Sequence, residues 1–433
     1  MTLVSSRQDA ADAGTPFGEL MADLAPVLAD IAAGAPQRER DGVPPGGAMR
    51  RLKELGLGAA RLPGAYGGRG LGIVDLVRLW VALAEADPNL TQALRGHFAV
   101  VEDLLWRHAR GEDQQRWFER FVAGQTAGNA WAEPPGTELG RMATEVVPGP
   151  APGDLLLRGV KNYTTGCAYA EWADVRAVRV LPDGSHEDVV VLVDLRLDGV
   201  SVVDDWDGFG QRGTATGTVT FRDVPVRAGH VVRHSERFDY QSTFFQLNLL
   251  ATLVGIGRRA VGDLVQQLRT RDRHFSHGNA ARVRDDAQAL AHVGELSAAV
   301  FAAEAATLRV AAAVQQASRA VDRVRADWLE LAEVECAAAQ VVVTRLVLDV
   351  TSRFLDPLGA SATSRALCLD RHWRNARTVA SHNPVQLKAR VVGDHRVNHA
   401  APPRDWAVGR TRREAPSVGA VPGHPAGGRV TGR

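Results

Sequence analysis

The chain contains little cysteine and no excess of charge of either sign. Only three of its 433 residues are cysteines, at Cys167, Cys336 and Cys368. They form no CxxC pair and are too few for a disulfide framework, so they indicate a reducing compartment. The 51 Lys and Arg residues balance 50 Asp and Glu residues, which leaves a formal net charge of +1. A chain so balanced has no overall field to attract nucleic acid or an anionic membrane surface.

Long apolar runs are also missing. No uninterrupted apolar stretch reaches the roughly 18 residues expected of a membrane span. The N-terminal sequence MTLVSSRQDAADAG has no apolar centre of the kind found in secretory signals. The sequence therefore predicts no membrane segment and a cytoplasmic location.

Several catalytic motifs are absent as well. The HEXXH and GxSxG patterns of zinc proteases and α/β-hydrolases do not occur. His274 and His277 have no third ligand near them in the sequence, so we predict no metal site. The GxGxxG match at residues 208–213 is followed by the strand-like TGTVTFRDVPV. A dinucleotide fingerprint needs a helix there, because the helix N-terminus meets the pyrophosphate, so we expect no nicotinamide site.

Hydrophobic periodicity divides the chain into a helical, a β-rich and a second helical region. Apolar residues first recur every three or four positions, then short Val- and Thr-rich runs alternate with turn residues, and the helical period finally returns. We expect a mainly α fold with an N-terminal helical domain, a small antiparallel β barrel in the middle and a C-terminal four-helix bundle. The expected ranges are 1–127 for the first domain, 128–232 for the second, 233–400 for the bundle and 401–433 for a disordered tail.

Four segments together carry a specific resemblance over roughly residues 15 to 400. They are LKELGLGAARLPGAYGGRGLG, NAWAEPPG, KNYTTG and DWDGFGQRGTATGTVTFRDVPV. They resemble the N-terminal signature, the two flavin-contacting segments and the last strand pair of the acyl-CoA dehydrogenase superfamily. The resemblance implies a flavin-binding oxidoreductase with helical, β and helical-bundle domains.

The positions of the catalytic base depart from dehydrogenation. A dehydrogenase needs a carboxylate beside its substrate to remove a proton. Asn383 stands where the resemblance would place Glu, and the alternative base region, residues 240–250, contains no acid. The segment LDRHWRNARTVASHNPVQLKARVVGD instead resembles the two-component flavin-dependent monooxygenases of this superfamily, such as dibenzothiophene monooxygenases and amine N-hydroxylases.

That branch implies a particular chemistry and set of partners. Such enzymes take reduced FMN or FAD from a separate flavin reductase, and O2 then forms a C4a-hydroperoxyflavin that oxygenates carbon, nitrogen or sulfur of a small organic substrate. The family also implies a homotetramer without membrane or nucleic-acid partners. Two alternatives remain open: an acyl-CoA dehydrogenase-like FAD enzyme with a displaced base, and a non-catalytic nucleic-acid-binding flavoprotein with a basic C-terminal face.

The resemblance also assigns site residues. His382 would donate or accept the proton, Asn383 would orient His382 or the substrate, and His97 would lie over the substrate pocket. The residues expected to contact the flavin are Thr164 and Asn129 at its reactive edge, Trp131, Tyr163 and Thr165 along its ring, and Arg271 and Arg273 at its phosphate. Plain structural roles compete with these assignments: His97 as a core histidine, His382 as a helix-end cap, the threonines as strand residues and the arginines as a solvated helix end.

Overall fold

The chain folds as helices, then a sheet, then helices again. The computed structural model describes Asp12 and residues 14–181, 183–272 and 275–404. The order of elements confirms the predicted mainly α fold with a β region in the middle and a helical bundle after it. Most of the predicted tail, residues 405–433, lies outside the described residues, as does Arg273.

Six helices precede the sheet. They are α1 (Pro16–Asp41), α2 (Gly46–Glu54), α3 (Ile73–Ala86), α4 (Pro88–Ala93), α5 (Arg95–His108) and α6 (Gln115–Val122). The hydroxyl of Thr15 accepts from the Gly18 amide and caps the start of α1, and Gly42, at φ 65°, ends it. Leu20 and Leu24 begin a helically spaced apolar face that is fully buried.

Eight described strands form one sheet. They are β1 (Ala127–Ala130), β2 (Glu145–Pro148), β3 (Leu155–Asn162), β4 (Trp172–Val180), β5 (His186–Asp194), β6 (Val200–Val203), β7 (Thr218–Val226) and β8 (Val231–Arg233). The order is β6-β7-β3-β2-β4-β5-β8, with β1 paired to β4. The GxGxxG segment lies in the loop between β6 and β7, so it connects two strands as predicted.

The sheet differs from the predicted antiparallel barrel in two respects. Both β1 and β2 pair with β4 in parallel, and the described strands form an open path without closure. The parallel pairing arises because the chain crosses over after β3, through residues 163–171, and adds β4 on the far side of β2. Alternation of apolar residues along a strand reports its buried face but not its partner, so this crossover was invisible in the sequence.

Five helices form the C-terminal bundle. They are α7 (Gln241–Thr270), α8 (Ala287–Arg319), α9 (Asp322–Arg353), α10 (Arg371–Ala380) and α11 (Val385–Asn398). The first three are roughly 45–50 Å long at 1.5 Å per residue. The bundle also packs on the N-terminal helices: a Cβ at Gly255 of α7 would lie 2.5 Å from the Cβ of Ala84 in α3. Apolar residues of both helical regions therefore share one core.

By length and composition alone, helix α8 is long and apolar enough to cross a membrane. Polar residues interrupt its apolar runs, so it contains no long uninterrupted apolar stretch. Its buried residues include Leu296, Ala303 and Val310. They face the neighbouring helices α7 and α9 of the bundle. The core helix of a bundle has the same composition, so helix packing accounts for it.

The start of α5 lies directly against the sheet. A Cβ at Gly96 would stand 2.7 Å from the backbone nitrogen of Asn129 in β1. A Cβ at Gly166, which has φ 82°, would stand 2.2 Å from the Ala93 carbonyl oxygen. Only glycine fits at either position. The junction of α4 and α5 is thereby held against β1 and the segment that follows β3.

Gly96→Ala should lower the free energy of unfolding by about 1–3 kcal/mol, because the added methyl group must displace the β1 backbone. Gly294→Ala is the matched control, since open space surrounds its Cβ position in α8. That substitution should raise the free energy of unfolding by about 0.5–1 kcal/mol. Denaturant titrations of both variants measure the difference, and a Gly96→Ala chain as stable as the parent would contradict the close approach.

Candidate functional site

Asn129 and Thr165 lie side by side where β1 meets the segment after β3. The backbone N–H of Asn129 donates to the Thr165 carbonyl at 3.1 Å. The Asn129 side chain is buried, with 8% exposure, and its Oδ1 has no hydrogen-bond partner among the described residues. An unpaired buried acceptor is costly, so this oxygen is a candidate to accept a hydrogen bond from a ligand.

Threonine hydroxyls line the same region. The Thr214 and Thr216 hydroxyl oxygens are 2.8 Å apart, and the Thr216 hydroxyl donates to that of Thr165 at 3.2 Å. Thr164 donates its backbone N–H and its hydroxyl to the Gly217 carbonyl, at 2.9 and 2.8 Å. This anchors Thr164 beside β7, and its hydroxyl oxygen retains the capacity to accept a hydrogen bond.

The two predicted aromatic residues have different surroundings. The Trp131 Nε1–H donates to Asp174 Oδ2 at 3.0 Å, and its ring meets that of Phe245, from α7, at 5.3 Å between centroids. Tyr163 is 48% exposed and packs edge-on against Trp206 at 5.1 Å. Trp131 is therefore a fixed wall between sheet and bundle, and Tyr163 presents an open aromatic surface.

His382 and Asn383 form the turn between α10 and α11. The Asn383 amide nitrogen donates to Gln246 Oε1 at 2.7 Å and lies 3.4 Å from His382 Nδ1. If this amide donates to Nδ1, the neutral ring carries its hydrogen on Nε2. The pair predicted from the sequence is thus brought together, and the bundle residue Gln246 of α7 holds it in place.

The surroundings of His382 keep its ring neutral. His382 is an exposed residue of this turn, and neighbouring protein atoms crowd its ring. The region between this turn, Phe245 and Trp131 is called the candidate cleft below. Loss of hydration lowers the pKa of His382 well below its usual range, and the positive charge of Arg95 lowers it further. At neutral pH the ring therefore offers one N–H donor and no charge.

His97 is bonded within the core. Its Nε2 lies 2.9 Å from the Gly58 carbonyl oxygen, and its Nδ1 accepts from the Ala127 N–H at 3.3 Å. Burial lowers the pKa of His97 to about 4. Because backbone groups use both ring nitrogens, the geometry favours a role in positioning β1 against α5 over direct contact with a substrate.

Arg271 lies far from the other predicted residues of the same chain. It follows the C-terminal end of α7, where its guanidinium donates to the Ser361 hydroxyl at 2.8 Å. Gln246 is near the opposite end of that helix, roughly 35–40 Å away at 1.5 Å per residue. One chain therefore does not bring Arg271 to the cleft that contains His382.

Sequence reasoning missed three residues of the cleft: Arg95, Phe245 and Gln246. The guanidinium carbon of Arg95 lies 5.4 Å from the centre of the Phe245 ring. The segment LRGHFAVV was considered only for His97. An arginine among small and apolar residues could also have indicated a site residue. The two α7 residues lie in the region 240–250, which was considered only for an acidic base, and their packing on Trp131 and Asn383 reveals their place in the site.

Together these residues define a three-domain protein whose candidate site lies between the sheet and the bundle. Family models described as acyl-CoA dehydrogenase N-terminal, middle and C-terminal domains match residues 24–125, 129–224 and 247–387. The chain belongs to the acyl-CoA dehydrogenase family.

Proteins of similar sequence and structure match most of the length of this chain. The probable FMNH2-dependent monooxygenase SfnC of Pseudomonas putida is 26% identical over 86% of this chain and 91% of its own length. The dibenzothiophene monooxygenase of Mycolicibacterium goodii is 27% identical over 81% and 87%, respectively. The crystal structure of FMN-bound TdsC from Paenibacillus sp. A11-2 superposes with a TM-score of 0.80 at 27% identity, covering 89% of this chain and 98% of TdsC.

The buried His97 should make folding sensitive to acid. Its pKa of about 4 in the folded chain lies below the unfolded value of about 6.5, so between these values the unfolded chain binds more protons. Stability should therefore fall as the pH drops from about 6.5 to 4, by at most about 1.4 kcal/mol per pH unit from this residue.

Denaturant titrations of a His97→Gln variant between pH 4 and 7 test this dependence. The slope of unfolding free energy against pH should be shallower than in the parent chain, whatever the absolute stability. His186→Gln is the control, because His186 is exposed at the start of β5 and should leave the slope unchanged. Identical slopes in all three proteins would show that His97 is protonated equally in both states.

Proposed function

We propose that this protein is a flavin-dependent monooxygenase that uses reduced FMN and O2 to oxygenate a small organic molecule. The observation that carries the proposal is the amide at Asn383, which stands where dehydrogenation needs a carboxylate and is hydrogen-bonded to Gln246 beside a neutral His382. An amide cannot remove a substrate proton, but it can hold a histidine in a donating tautomer. The names of the relatives support oxygenation and favour FMN over FAD.

The residues present fit a flavin. Its ring system offers N–H donors and carbonyl acceptors, and the orphaned Oδ1 of Asn129 supplies a buried acceptor for such an N–H. The Thr165 and Thr164 hydroxyls lie on the neighbouring segment, and Trp131 and Tyr163 supply aromatic surfaces. These five residues would hold the ring; when bound, reduced FMN supplies the electrons that activate O2.

The chain's own residues then have distinct tasks. His382 donates a hydrogen bond from Nε2 to the reacting oxygen, which a neutral imidazole can do without a change of charge. Asn383 is a positioning residue that fixes the tautomer through Nδ1. Trp131 and Phe245 exclude water from the cleft, which strengthens each hydrogen bond inside it.

In this proposal a separate reductase supplies the flavin, and the position of the GxGxxG segment between two strands supports it. The reducing surroundings implied by three buried free cysteines agree with a cytoplasmic enzyme. The relatives' names do not select between carbon, nitrogen and sulfur as the oxygenated atom.

A homotetramer completes the site in this proposal. Arg271 is too far along α7 to meet a flavin in its own chain, so it would bind the phosphate of a flavin held by another copy. The bundle also exposes apolar side chains suited to a subunit contact, including Phe301 of α8 at 74% exposure and Val324 of α9.

Reconstitution with a flavin reductase, FMN and O2 tests the function. Product should require all three, beginning with dibenzothiophene, the compound named in the M. goodii relative, and extending to small nitrogen and carbon compounds. Product formed under ¹⁸O2 should carry the label, because the inserted oxygen comes from O2. Unlabelled product, NADPH oxidation by the isolated chain, or anaerobic reduction of its flavin by an acyl-CoA would contradict the proposal and favour the dehydrogenase alternative.

His382→Ala should lower the rate of product formation roughly 10²- to 10³-fold, because a hydrogen-bond donor is lost at the reacting oxygen. Oxygen consumption should continue, with hydrogen peroxide released in place of product. His186→Ala, at an exposed position on the sheet, is the control. If His382 only caps a helix end, the variant should instead lose about 0.5–2 kcal/mol of stability and keep its ratio of product to peroxide.

A further inference from the structure

Three arginines are buried in the described part of the chain, and one of them lacks a counter-charge. Arg237 donates to Asp174 at 2.8 Å, and Arg371 donates to Asp263 at 2.6 Å. Arg95 is just as enclosed, at 6% exposure, but it has no ion pair or hydrogen bond to a described residue, and its Nε is buried without a partner. Among the described residues, carboxylates neutralise the other two buried guanidinium groups and none pairs with this one.

An unpaired buried cation is costly, because the desolvation of the charge is not compensated. Burial alone lowers the pKa of Arg95, to about 10, and no carboxylate raises it. The guanidinium therefore stays charged at neutral pH. A site that holds an uncompensated cation is prepared to receive an anion from outside the chain.

Arg95 lies at the candidate cleft. Its guanidinium is near the Phe245 ring, which in turn packs on Trp131, and its charge acts on His382. Gln92, one helical turn earlier, has a buried Oε1 without a hydrogen-bond partner. A cation thus lies beside a pair of packed aromatic rings, and an unpartnered amide oxygen is three residues from it in the chain.

We propose that Arg95 binds the oxyanion group of the organic substrate, a carboxylate or a sulfinate, whose apolar part packs on Phe245 and Trp131. A guanidinium presents two parallel N–H groups that match the two oxygens of such a group. This inference names the substrate class of the proposed monooxygenase and so rests on that function. The bound anion would then lie near His382, on which the charge of Arg95 acts.

Binding of benzoate and benzamide to the full chain tests the proposal without reductase or O2. The two probes have nearly the same shape and differ in charge. Isothermal calorimetry should show tighter binding of benzoate, and Arg95→Gln should weaken benzoate roughly 10- to 100-fold while leaving benzamide unchanged. Arg95→Lys should retain part of the benzoate affinity, because it keeps the charge but not the paired N–H groups.

A matched control separates binding from folding. Arg371→Gln removes an equally buried guanidinium and should lower the melting temperature, because Asp263 loses a partner, without changing benzoate affinity. Arg95→Gln should melt no lower than the parent chain, since it removes an uncompensated charge. A lower melting temperature for Arg95→Gln would reveal an internal partner and overturn the proposal.

Two other outcomes would also overturn it. Equal effects of Arg95→Gln on benzoate and benzamide would show that the charge is not used for recognition. If Arg95→Gln weakened the binding of reduced FMN and left the benzoate affinity unaltered, Arg95 would be assigned to the anionic ring of the reduced flavin. These binding measurements need no turnover, so their outcome is independent of the ¹⁸O2 experiment. If only neutral compounds gave labelled product, the protein would be a monooxygenase, but Arg95 would not bind an anionic substrate.

Discussion

The direct contact between the start of α5 and the backbone of β1 is the constraint on which the candidate site depends. At Gly96 no side chain separates helix from strand, and the next residue, His97, bonds to the Gly58 carbonyl and to the Ala127 N–H of the same strand. The contact places Arg95 at the start of α5, next to the strand that carries Asn129. A displacement of this helix would move the charged and the neutral polar groups of the cleft apart.

The chemistry of the site follows from the placement of charge. Carboxylates neutralise the buried arginines of the scaffold, as Asp174 does for Arg237, while amides and hydroxyls line the region beside β1. Asn383 continues this pattern at the position where dehydrogenation requires an acid. Arg95 therefore lies among neutral donors and acceptors. The Asp174 carboxylate behind Trp131 is already bonded to the indole N–H and to Arg237.

Much of the architecture was available from local pattern. Helical and strand periods predicted the helix–sheet–helix order, and His382 with Asn383 could be selected because they lie in one recognisable segment. The sheet was predicted less well: its parallel pairs depend on the crossover after β3, and strand partners are set by packing of distant segments. The position of Arg271 was also beyond sequence reasoning, because a motif does not reveal that a 30-residue helix separates it from the rest of the site.

The sequence by itself determined the order of helices and strands and the amide at position 383, because each is a property of residues close together in the chain. Only the tertiary structure decided that Asn383 bonds to Gln246, which is 137 positions away, and that Arg95 is buried without a partner. Such contacts depend on how α5, α7 and the turn after α10 pack together. A hydrogen bond or an uncompensated charge is a relation between distant groups, and no local pattern of residues specifies which of them meet.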